Sequence, residues 1–148
     1  MNQFGTATEL PENYEQLKAA ANRTSSWRER LAAVEELGGW RHPKIVDVLT
    51  NRLNNDSVYK VQEAAYRKLQ QWGEQVKQPA QKKGEPFKGL AKILLRIKKS
   101  LPAGHGFEAF EEKLKKMRID VYDTCEGNKG DEFEQWLKDI WASLPVKS

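Results

Sequence analysis

Cysteine and histidine are almost missing from this 148-residue chain, which has only Cys125, His42 and His105. A single thiol excludes an intrachain disulfide and fits a reducing compartment. With so few nitrogen and sulfur donors, a zinc centre would have to recruit carboxylates to reach three or four ligands, and no metal or cofactor is expected. No run of about 18 apolar residues exists, so no transmembrane helix and no membrane contact are expected. Met1 to Leu10 has neither the basic start nor the apolar core of a signal peptide, which makes a cytoplasmic address the default. Alternation with period two is absent over a strand's length, Arg118 to Tyr122 excepted, so no sheet is expected either.

What is present is helical periodicity. Aliphatic and aromatic residues make up 39% and charged residues 31%, a balance that fits a highly helical globular chain rather than a disordered one. Pro11 to His42 can be laid on Pro43 to Glu74 without a gap, a repeat of 32 residues. Under that shift Pro11 meets Pro43, Leu17 meets Leu49, Ser25 meets Ser57, Ala32 and Ala33 meet Ala64 and Ala65, Leu37 meets Leu69, and Trp40 meets Trp72. Trp27 and Arg28 meet their chemical counterparts Tyr59 and Lys60. A period of this length marks stacked supersecondary units, each unable to bury its apolar face alone.

Each block reads as a helical hairpin. Pro11 and Pro43 suit a first helical turn, where a missing N–H has no partner to lose. Tyr14, Leu17 and Ala21 form one apolar stripe, and Ile45, Val46, Leu49 and Leu53 another. Ser26 followed by Glu29 has the form of a capping box opening the second helix, which Gly38 and Gly39 close. The small pairs at 32–33 and 64–65 allow close helix approach. The pattern of an aromatic and a basic residue at the helix start, an Ala-Ala pair, a Leu near the helix end and a Pro-headed partner helix resembles the short HEAT-like repeats over residues 11–74. That resemblance implies an all-α, short helical-hairpin solenoid that serves protein recognition.

The chain is expected to divide into a lead-in at 1–10, the repeats at 11–74, a linker at 75–86 and a helical region at 87–148. Two units are fewer than a free-standing solenoid needs, so the C-terminal helices are expected to pack on the repeats as a bundle that completes their core. Phe87, Leu90, Ile93, Leu94, Ile97 and Leu101 outline one amphipathic helix, and Phe107, Phe110, Leu114 and Met117 a second. Ile119 to Glu126 suggests a short helical turn, Gly127 to Gly130 a turn, and Asp131 the start of a last helix through Phe133, Trp136, Leu137, Ile140, Trp141 and Leu144.

Charge is unevenly spread. Residues 75–118 carry 12 basic and 4 acidic side chains, whereas residues 119–148 carry 3 and 7. The contrast fits either an anion-binding face or a basic segment paired against the acidic tail. Lys82, Lys83, Lys88, Lys92, Arg96, Lys98 and Lys99 are the candidates for contacts to nucleic-acid phosphates. Protein-contact candidates on the repeat surface are Arg28, Arg30, Lys60 and Arg67. No catalytic set converges. His42 reads as a turn residue capping a helix, His105 as a loop or cap residue that could also hold a ligand, and Cys125 as a small buried residue. The acidic cluster Asp120, Asp123, Glu126, Asn128, Asp131 and Glu132 could suggest calcium but lacks the spacing of a calcium loop. Some DNA glycosylases acting on alkylated bases are built from HEAT-like repeats, and Trp27, Trp40, Trp72 and Arg28 supply matching residue types; two repeats, however, offer hardly any cradle for a duplex. The favoured function is a non-enzymatic protein-interaction or scaffold module with an unidentified protein partner. Nucleic-acid binding is the alternative, and a glycosylase relative the third.

Overall fold

A computed structural model describes residues 9–81 and 88–145. Eight α-helices and no strand are found among them, so the chain is all-α. Two compact units divide it, residues 1–81 and residues 82–148.

The first unit is two helical hairpins. Helices α1 (Tyr14–Ala21) and α2 (Trp27–Leu37) pair, as do α3 (Pro43–Asn55) and α4 (Tyr59–Gln71), and α2 stacks on α4. The apolar stripes meet in one core containing Tyr14, Leu17, Val34, Leu37, Ile45, Leu49, Val61 and Leu69. Pro43 occupies the first turn of α3, and His42 Nδ1 caps that helix by accepting the Lys44 N–H at 3.1 Å. Pro11 lies outside α1, which starts at Tyr14 behind a turn closed by Tyr14 N–H donating to the Pro11 carbonyl at 3.0 Å. The difference is local: His42 precedes Pro43 with a capping nitrogen, whereas Leu10 precedes Pro11 and has none.

The repeat is not symmetric in burial. Ala64 and Ala65 are both buried, but only Ala33 of the first pair is, and Ala32 faces solvent. Trp72 is buried while Trp40 is 37% exposed. The chain leaves α4 through Gly73, whose φ of 79° is natural only for glycine. No regular structure follows through residue 81.

The second unit comprises α5 (Leu90–Lys99), α6 (Phe107–Met117), α7 (Ile119–Lys129) and α8 (Phe133–Ser143). Helix α6 touches all three others and supplies the fully buried Phe110 and Leu114. Helix α5 begins at Leu90 behind Gly89, with φ 75°; the expected start at Phe87 lies outside the described residues. The segment expected to turn at 127–130 instead continues α7 to Lys129, with Gly127 buried inside the helix, and the chain reverses at Gly130, where φ is 61°. A single 3-10 turn at 130–132 then leads into α8.

Candidate functional site

Helix starts organise the surface of the repeat unit. Ser26 Oγ accepts the Glu29 N–H at 3.2 Å, which fixes the first turn of α2 and with it Trp27 and Arg28. The Trp27 ring carries two cations, the Arg28 guanidinium carbon 4.5 Å and the Lys60 ammonium 4.9 Å from its centroid. Both cationic residues are exposed, and they stand one repeat period apart. Cation–π attraction holds such side chains near the ring without removing them from solvent.

Arg30, expected at the surface, belongs to the interior. Its side chain is 3% exposed, with Nε donating to Asp56 Oδ2 at 2.8 Å and Nη2 to Oδ1 at 3.2 Å, a bidentate pair. Nη1 donates to the Arg23 carbonyl at 2.7 Å. Arg52 adds a second cation to Asp56 at 3.1 Å, and the Val58 N–H donates to Asp56 Oδ1 at 2.9 Å. Gln62 stands where Arg30 does, one period on, and likewise reaches back to the preceding turn by donating to the Asp56 carbonyl at 2.6 Å. Arg30 thus ties the first hairpin to the second and is unavailable to a partner. Arg67 is exposed but forms an i,i+4 ion pair with Glu63 at 3.1 Å, a contact of little energetic weight at such exposure.

In the second unit, the candidate phosphate contacts separate into two groups. Lys88, Lys92, Arg96 and Lys99 are exposed, and none of them takes part in an ion pair among the described residues. Lys98 points the other way and is buried, donating to the carbonyls of Trp141 and of Leu144, the latter at 2.6 Å. It satisfies the end of α8, where orphan carbonyls and the helix dipole favour a cation. Lys98 is therefore structural. Lys82 and Lys83 lie outside the described residues.

The residues with potential chemistry are also accounted for. Trp141 Nε1–H donates to His105 Nε2 at 2.9 Å; an indole nitrogen can only donate, so His105 carries its proton on Nδ1 and donates it to the Pro102 carbonyl at 2.8 Å. His105 is thereby a strut between the α5–α6 connection and α8. Burial pushes the Cys125 thiol up to about 12, which leaves it without thiolate at neutral pH. Asp120 is bound through both oxygens to Arg118 at 3.1 Å, and that hydrogen bonding holds its carboxyl below the usual range. Among the described residues no group of three His, Cys, Asp or Glu is placed to hold a metal, and no helix is long and apolar enough to cross a membrane.

The paired hairpins, their 32-residue period and their shared inner face have a counterpart among known families: residues 14–82 match the family model of HEAT repeats. The N-terminal unit carries HEAT repeats. No curated protein and no solved structure matches the chain. HEAT repeats generally serve protein interaction, and here Arg28 and Lys60 stand at equivalent places in successive repeats. Sequence reasoning missed Asp56, which stood in a polar turn, and Trp141, which gathers Lys98, His105 and Phe107 around one ring. The signal available was Arg30 itself, since a basic residue on an apolar stripe needs internal acceptors, although nothing local singles out Asp56 as one of them.

Proposed function

We propose that the chain is a non-enzymatic interaction module whose HEAT unit binds an acidic segment of a partner protein. The observation that carries this reading is the pair Arg28 and Lys60, exposed at equivalent repeat positions and both within 5 Å of the Trp27 ring. Seated on one ring, the two positive groups are at most about 10 Å apart, close enough for neighbouring carboxylates of one peptide to meet both. Arg67 lies farther along α4 and is occupied by Glu63, which gives it a peripheral part.

The test is affinity capture with the wild-type chain and with the charge-reversed variant Arg28→Glu/Lys60→Glu. A partner retained by the first and lost by the second, with both proteins equally helical, supports the reading. Identical capture by the two proteins, or turnover of a substrate by the purified chain, sinks it. The groove between α1 and α3 is less suited to an acidic segment, because its lining mixes Glu15 and Asp47 with Lys18 and Lys44.

A further inference from the structure

The outer face of α5 is a strongly charged surface that the interaction reading leaves unused. Lys92, Arg96 and Lys99 stand four and three residues apart, the spacing that puts side chains on one helical face. With Leu95 and Ser100 they line a shallow groove, and exposed Lys88 precedes the helix in sequence. No ion pair joins the acidic C-terminal region to this row among the described residues. Asp120 is bound to Arg118, Asp123 is buried, and no carboxylate among the described residues forms an ion pair with Lys88, Lys92, Arg96 or Lys99.

We infer that this groove binds the phosphate backbone of a nucleic acid. Along the helix axis the three cations are separated by about 6 Å and about 4.5 Å. A duplex strand offers a phosphate every ~3.4 Å of axis, so three side chains of this reach meet phosphates spread over a few neighbouring nucleotides. Half-buried Leu95 lies among the cations as an apolar floor against which sugar edges can rest. Among the described residues no aromatic lines the groove, which favours binding that follows the backbone rather than the sequence. A membrane surface fits less well. The apolar side of α5, through Leu90, Leu94 and Ile97, is committed to the core, which leaves nothing for lipid insertion.

The experiment is fluorescence anisotropy of the full chain with labelled single-stranded DNA, single-stranded RNA and duplex DNA of about 20 nucleotides, from about 25 to about 200 mM salt. Binding is expected to weaken steeply with salt, with a log–log slope of about −2 to −4 for three or four phosphate contacts. Lys92→Gln/Arg96→Gln/Lys99→Gln is expected to weaken binding about tenfold or more and to flatten the slope by about 2. Lys18→Gln/Lys44→Gln/Lys138→Gln removes the same charge at other exposed positions and is expected to change affinity less than about threefold. Thermal melts establish that the variants are folded. Should the triple variant not fold, Lys92→Gln and Lys99→Gln are each expected to flatten the slope by about 0.7 to 0.9. Absence of binding at the lowest salt overturns the inference, as does an equal loss in the control variant. Tighter binding to phosphatidylserine vesicles or to polyglutamate than to nucleic acid overturns it too, assigning the face to a membrane or to an acidic protein.

Discussion

Removing either member of the buried Arg30–Asp56 pair leaves the other charged and out of water. The guanidinium and the carboxylate are 3% and 0% exposed, and Asp56 also holds Arg52 and the start of α4 through Val58 N–H. Asp56→Ala is expected to cost about 3–5 kcal/mol of unfolding free energy, read from urea denaturation. Arg30→Met/Asp56→Leu should lose less than the sum of the single changes, because the cost lies in the stranded charge. A loss below about 1 kcal/mol for Asp56→Ala would show the pair to be dispensable. Glu111 is a second residue with a measurable signature. Its Oε2 is buried and meets no donor from another residue. Burial first, then a hydrogen bond to the Glu134 carboxyl, raises its pKa from 4.5 to about 7; such a bond requires a shared proton. Between these values the native chain keeps a proton that the unfolded chain has released. Stability should therefore be fully retained below about pH 4.5 and decline as pH rises toward 7, with no further loss from this group above it. Melting temperatures across that range test the sign, and Glu111→Gln should flatten this part of the profile.

At the scale of the element, the apolar spacing of three and four marked the α-helices well, because helix type follows from which positions must be inward. It served less well for what a helix does with a long basic side chain. Arg30 follows Trp27 by three residues and precedes Val34 by four, while Lys98 follows Leu94 by four and precedes Leu101 by three. Both positions lie on the apolar stripe, and both side chains are buried on internal acceptors, Asp56 in one case and the end of α8 in the other. Their place in the periodicity is thus a better guide than their charge. Arg28 and Lys60, or Lys92, Arg96 and Lys99, fall off the stripe and remain exposed. Boundaries were legible only where a side chain marks them. Ser26 and His42 cap as their chemistry suggests, but Gly127, an expected turn, is held in α7 by burial, and tertiary packing overrides its weak helix propensity. The internal partners, Asp56 across the hairpins and Trp141 with Lys98 and His105, depend on contacts 26 to 43 residues apart, and nothing local in the sequence singles them out.

For the whole molecule, the count of two repeats raises the question of how the HEAT unit is closed. Repeat arrays ordinarily need about three units before neighbour contacts offset the entropy of ordering the chain. Here the repeat unit has a core of its own residues, from Tyr14 to Trp72, reinforced at its centre by the Arg30–Asp56 bond between hairpins. The second unit likewise gathers Leu90, Leu94, Phe110, Leu114, Val121, Phe133 and Leu137 around α6. These inventories predict that residues 1–81 and 82–148, expressed separately, each retain a helical circular dichroism spectrum and a cooperative melt. Arg30 supplies an internal control. In the fragment of residues 1–81, Asp56→Ala should abolish the cooperative transition, since the same loss of stability falls on a smaller core. If the parent fragment is itself unfolded while the full chain melts cooperatively, the core from Tyr14 to Trp72 and its internal salt bridge are not sufficient to hold the two hairpins.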